Sequence, residues 1–285
     1  MTPSNLADTI EGLIVQANGK YASRILQVQN KLYNDLVTIL RFVDLDSQGY
    51  IKQNSGNRAI LRAAQDQFDK TIKSSIYQYA LEQHLNVIPE IDALNTSYFE
   101  SVSSAFKPNR VFIKSLQTQT IESVNTLILQ DGLAAQIKLP LNQILQQNIN
   151  MGGSFNGMLD QVKTFVKGNE SIDGRLVSYS KGILHDTLFQ YARSFQNSVT
   201  EDLGLVWYRY VGGLMDKSRE FCIERNGGYF HQKEVERWAE LDWKGKNNLT
   251  TESSIFVFCG GYSCRHQLIP VSDIAVPTDD KARLN

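Results

Sequence analysis

From Ile10 the chain places apolar residues at Leu13, Ala17, Tyr21, Val28, Leu32, Leu36, Ile39 and Val43, in steps of three, four or seven. Steps of that size return to one face of a 3.6-residue helix, so a long amphipathic helix is predicted here. Leu26, Tyr33, Val37 and Leu40 widen the stripe and predict packing on two sides, and Asn18-Gly19 marks a kink or a break. The turn-rich "DLDSQGYIKQNSGN" (44–57) reads as a loop, and a second stripe follows at Leu61, Ala64, Phe68, Ile72, Ile76 and Tyr79. Further helices are predicted over roughly 109–130 and 133–150, the latter meeting Pro140 early and ending at Gly152-Gly153. Ser154 is placed as the N-cap of a helix closing on Gly168, and one more runs from Asp173 to Asp202 with Gly204 as its stop. No strict a/d heptad persists, which argues for an irregular bundle over a coiled coil.

Beyond Gly204 the pattern changes. "LVWYRYV" (205–211) is short, aromatic and β-branched, as strands are. A glycine-rich loop with a short helical turn leads to "YF" and then to "HQKEVERWAEL", a predicted helix with Val235, Trp238 and Leu241 on one side. "KGKNNLTTESS" is a polar loop before "IFVF", and "HQLIPV" reads as a last strand, followed by a polar, loose tail. The expected fold class is therefore α+β: a predominantly helical N-terminal domain over 1–204, a small α+β module over 205–272 and a tail over 273–285.

Charge narrows the function. The net charge of -1 hides no block of either sign, so the basic footprint of a dedicated nucleic-acid binder is missing. No apolar run is long enough to span a membrane, and "MTPSNLADTIEGLIV" puts acids where a signal peptide carries cations, so no leader is expected. The three cysteines, an odd number gathered between 222 and 264, fit a reducing cytoplasm better than a secreted disulfide scaffold.

The chemistry concentrates in "CGGYSCRHQLIPV", Cys259 to Val271. Cys222, Cys259, Cys264 and His266, with His231 as a spare, are the ligand types of a tetrahedral zinc site. Their C-x4-C and C-x-H spacings are not those of paired zinc knuckles, so buried thiols closing a small core stand as the alternative. As a nucleophilic dyad, Cys264 and His266 lack a visible orienting group and an oxyanion hole. The Gly-Gly pairs match no phosphate-binding motif and read as tight turns. Arg219 or Arg265 is a candidate to pair with Asp216, with solvated charges as the alternative, and Trp238 and Trp243 read as core or edge aromatics.

The order of these stretches resembles the phage Mu F-like head morphogenesis family, the minor head proteins of tailed bacteriophages. The resemblance rests on "DKSREFC" (Asp216, Ser218, Arg219, Cys222), on Gly228, Phe230 and Trp238, and on the closing "GGYSCRHQLIPV" with Gly261, Cys264, Arg265, His266, Pro270 and Val271. It covers about 205–271. Where relatives carry a second early and a second late cysteine, this chain has one early thiol and His266. What the resemblance implies is a low-copy virion protein, made in the host cytoplasm and associating with the portal protein or other head proteins during assembly, with a role in DNA packaging or ejection. No enzyme activity and no cofactor are then expected, zinc being the one metal for which donors exist. No contact with membrane is expected, and charge gives DNA contact no support. With 14 residues after Val271, no appended domain is expected. Two other readings stay open: a metal-dependent nuclease using the Cys/His cluster, and a cellular helical adaptor. If the two strands flanking the module pair, Cys222 and Cys264 become spatial neighbours.

Overall fold

The computed structural model describes residues 1–282 and is 68% helical, with a small sheet toward the C-terminus: the fold is α+β. Its helices in order are α1 (Pro3–Leu40), α2 (Ser55–Ile72), α3 (Ser75–Leu85), α4 (Ile88–Val102), α5 (Arg110–Leu129), α6 (Asp131–Leu133), α7 (Leu139–Met151), α8 (Phe155–Lys167) and α9 (Arg175–Leu203). The short α10 (Glu220–Arg225), α11 (Gln232–Arg237), α12 (Ile255–Phe258) and α13 (Thr278–Ala282) follow. A two-stranded ribbon joins β1 (Gly168–Asn169) to β2 (Ile172–Asp173), and a three-stranded sheet is formed by β3 (Trp207–Val211), β4 (Tyr229–His231) and β5 (Gln267–Val271).

Two compact units divide the chain. A helical unit comprises Asn18–Leu85 and Glu122–Ile183, and a mixed unit comprises Met1–Ala17, Asn86–Ile121 and the chain from Leu184 onward. The division expected at Gly204 is thus not where the compact units part. Residues from both ends of the chain are built into the unit that holds the sheet, for reasons that lie in buried polar contacts described below.

In the helical unit, α1 buries Tyr21, Ile25, Val28, Leu32, Leu36 and Leu40, one stripe at helical spacing. Of the kink or break predicted at Asn18-Gly19, the break does not occur, since α1 runs through both residues as one helix. Gly19 costs about 1 kcal/mol of helix propensity, less than the flanking buried residues return. The stripe predicted over 61–79 is two helices. Lys73 caps α2, and α3 restarts in a different phase, so that Tyr77, Ala80 and Leu81 are buried while Ile76 and Tyr79 are about half exposed. Between α5 and α7, Ala134–Lys138 winds as a π-helical turn just ahead of Pro140, which has no N–H to donate. Ser154 caps α8 as expected, accepting from the Gly157 N–H, and Gly168 closes it.

In the mixed unit, the sheet is antiparallel throughout, in the order β4-β3-β5, with Trp207 opposite Val271 and Tyr210 opposite Leu268. The predicted pairing of "LVWYRYV" with "HQLIPV" is therefore present. Alternation along β3 sends Tyr208 and Tyr210 into a core with Phe221, Phe230, Trp238, Phe256 and Leu268, while Trp207 meets Val271 and Val276 on the opposite face. "IFVF" is the helical turn α12, and His266 lies just ahead of the strand it was expected to begin. The tail is not wholly loose: a 3₁₀ turn at Asp273–Ala275 and α13 follow β5, and the remainder, 283–285, lies outside the described residues. The helix α4 had no counterpart in the apolar pattern, because its buried face includes the polar Asn95.

Candidate metal centre

Three elements bring the predicted donors together. Helix α10 opens after the Asp216–Arg219 loop and turns Phe221 and Cys222 inward. Central strand β3 delivers Tyr210, and the segment leading into β5 delivers Cys264 and His266. The Cys222 and Cys264 sulfurs are 4.0 Å apart, and the Cys264 Sγ is 3.9 Å from His266 Nδ1. All three residues are buried, and one ligand atom from each lies within 4.8 Å of the others. The cysteines are free thiols.

Neighbouring groups tune this cluster. The Tyr210 hydroxyl donates to Cys222 Sγ at 3.3 Å, and its ring stacks on the His266 imidazole with centroids 5.1 Å apart. Gly260 presses against both sulfurs: a Cβ there would sit 2.5 Å from Cys222 Sγ and 2.8 Å from Cys264 Sγ. Only hydrogen fits at that position. Electrostatically the thiols are unequal. The Cys222 S–H donating to it, aided by His266 and the Arg193 guanidinium, holds Cys264 well below the usual thiol range, while Cys222 is pushed up by the proton it keeps. Metals bind the thiolate form of cysteine, the form these neighbours favour at Cys264.

Arg193, on α9, was not among the candidate site residues and is central to the cluster. Although 3% exposed, it donates through Nε to the His266 carbonyl, through Nη1 to Val257 and through Nη2 to Cys264, at 2.7–3.0 Å. One guanidinium thus satisfies the Cys264 and His266 carbonyls of the segment that carries the ligands and the Val257 carbonyl of α12. Gln196, one turn further along α9, bonds Asn95 and Gln267, and Gln267 reaches the Ala7 carbonyl. These contacts build residues of α1, α4 and α9 into the same unit as the sheet. Arg193 and Gln196 share a helical face with Phe189, a three-and-four spacing that could have revealed them as buried.

Two candidate ligands fall outside the cluster. Cys259 caps α12 with φ of 49°, which turns its thiol back toward the Phe256 carbonyl, and burial pushes that thiol up to about 12. His231 caps α11, where Nδ1 accepts from the Lys233 N–H, and its ring edges Trp207 on the other face of the sheet. The donor set is therefore Cys222, Cys264 and His266.

The other motif residues hold the frame. Ser218 Oγ accepts from the Met215 N–H, and the Gly228 carbonyl accepts from Tyr210 N–H. Trp238 sits edge-on to Tyr210, Phe221 and Phe230. Gly261 takes a φ of +95° in the turn before Cys264, and the Pro270 carbonyl on edge strand β5 accepts from the Tyr98 hydroxyl. Asp216 does not receive either arginine: Arg265 pairs with Glu11 at 3.1 Å, and Arg219 donates to the Tyr262 carbonyl. Ser218, Arg219, Cys222, Cys264, Arg265 and His266, drawn from both halves of the motif, line one cavity of about 390 Å³.

Two sulfurs and one imidazole nitrogen form a set suited to Zn²⁺, and the buried His266 Nε2 has no hydrogen-bond partner. No family model matches this chain, and searches of the curated proteins and of the solved structures return no match. Among the described residues, no helix is long and apolar enough to cross a membrane.

Proposed function

We propose that this chain is a structural and assembly protein of a tailed-phage head, acting by association with the portal or other head proteins, and that Cys222, Cys264 and His266 hold one Zn²⁺ that staples its mixed unit. The observation that carries the reading is the convergence of the two motif stretches, 42 residues apart at Cys222 and Cys264, on one buried cluster sealed by Arg193. Groups that could do chemistry are engaged in internal contacts: Arg193 on three carbonyls, Tyr210 on a sulfur, Arg265 on Glu11. A metal in such a cluster contributes folding free energy directly. Mass spectrometry of intact particles and procapsids from infected cells tests the assignment: the protein is expected in both, well below the major capsid protein in copy number, and absence from both overturns it. Elemental analysis tests the metal, with about one zinc per chain expected.

A metal-dependent nuclease is the second reading, favoured by the three-ligand set opening on a cavity with cationic lining. Metal-stimulated cleavage of DNA that disappears in Cys264→Ala and His266→Ala would establish it in place of the first.

A further inference from the structure

Zinc in proteins takes four ligands, and this chain brings three together. Cys259 and His231, the other two donors predicted from the sequence, are committed elsewhere. All three ligating residues border the cavity of about 390 Å³, so a fourth ligand has a route to the metal. Resting on the zinc reading above, we propose that the fourth position is filled by an oxygen of a phosphate group entering this cavity.

The charge of the cavity points to a multiply charged anion. Its ionic lining consists of Lys217, Arg219, Lys244 and Arg265, with no carboxylate among the lining residues. Glu11 offsets Arg265, and two cysteine thiolates would balance the charge of the zinc. Among the described residues Lys217, Arg219 and Lys244 have no ion-pair partner, and they line a concave site where low-dielectric walls strengthen their pull. A dianion such as hydrogen phosphate answers that surplus better than a carboxylate or a halide.

Arg219 is set in place in advance. Its guanidinium lies across Gly245, whose φ of +84° suits glycine and where a Cβ would come within 2.6 Å of Nε. Nη2 is anchored on the Tyr262 carbonyl. A guanidinium held this way keeps further N–H groups for an oxyanion and loses little side-chain entropy on binding.

Cobalt substitution of the full chain separates the two claims. Co²⁺ should bind with thiolate charge-transfer bands and the intense visible bands of a tetrahedral site. Inorganic phosphate should then shift the visible bands saturably, and acetate at equal ionic strength should not. The double variant Arg219→Gln/Lys244→Gln should bind Co²⁺ with the same charge-transfer bands while weakening phosphate by about tenfold or more, as expected for losing charge-assisted contacts. Failure to bind Co²⁺ overturns the zinc reading and this inference together. A tetrahedral thiolate spectrum that phosphate leaves unchanged, or that acetate shifts equally well, overturns the inference alone. A dinucleotide with and without a 5′-phosphate identifies the source. A shift confined to the phosphorylated form supports a nucleic-acid end as the ligand, and a shift by inorganic phosphate alone supports the free anion.

Discussion

The two compact units are held together by different means. In the helical unit, long stripes such as Tyr21 to Leu40 on α1 and Leu141, Leu145 and Ile149 on α7 fill a core of side chains at regular spacing. In the mixed unit, the sheet is short and its surroundings are tied by buried polar groups: Arg193 to three carbonyls, Gln196 to Asn95 and Gln267, and Gln267 to Ala7. Apolar stripes tolerate conservative exchange, because burial is non-directional and scales with area. A polar network does not, since removing one member leaves its partners buried and unsatisfied. The mixed unit should therefore be the more sensitive to single polar substitutions and the helical unit to loss of volume.

The tryptophans allow the two to be followed separately, because Trp207, Trp238 and Trp243 all belong to the mixed unit. The largest expected effect is that of Arg193→Ala. It strands three carbonyls, and a loss of about 3–5 kcal/mol is expected in urea denaturation followed by tryptophan fluorescence. A loss below about 1 kcal/mol would remove the basis of the comparison.

Leu145→Ala, in the fully buried core of the helical unit, should cost about 2–5 kcal/mol. The change should appear in far-ultraviolet dichroism more than in the tryptophan transition, with metal binding unchanged. Equal shifts in both signals would mean that the units unfold as one.

Gly260→Ala sharpens the contrast further. The added methyl meets two sulfurs, so a loss of about 1–3 kcal/mol is expected, together with weaker Co²⁺ binding by thiolate charge-transfer absorbance. Retained metal affinity would show that the sulfurs can move apart without consequence.

The smallest effect concerns Asp92, which accepts from Tyr191 and from Gln117 at 2.6 Å. Burial raises its carboxyl above the ordinary range despite these bonds. A carboxyl whose folded value is raised binds its proton more tightly in the folded state. Stability should therefore increase as pH falls from neutral through the raised value, and this gain should cease below the unfolded value. Asp92→Asn should flatten that slope in denaturation midpoints measured between neutral and acid pH, and an unchanged slope would assign it to another group.

Much of the helical unit could be read from the chain because its determinants are local. The α8 cap at Ser154, the stops at Gly152 and Gly168, and the α1 stripe all follow from neighbours within a few turns. The split of α2 from α3 escaped notice because both halves are amphipathic and only the phase of burial changes between them. In the mixed unit, strands β3 and β5 and the closeness of Cys222 to Cys264 were legible from alternation and from the order of segments.

What the amino-acid sequence determined by itself was the helical content, the α+β change after Gly204 and the set of residue types able to hold a metal. These depend on periodicity, propensity and side-chain chemistry, which are properties of short stretches. Tertiary structure alone decided which donors meet. It turned Cys259 and His231 away, aimed Arg193 at the ligand loop, and placed Gly260 against the sulfurs. It also moved the division between compact units away from Gly204 by drawing α1, α4 and α9 residues to the sheet. Contacts such as Gln267 to Ala7 join residues from opposite ends of the chain. Their geometry arises from packing the whole unit, and no local pattern encodes it.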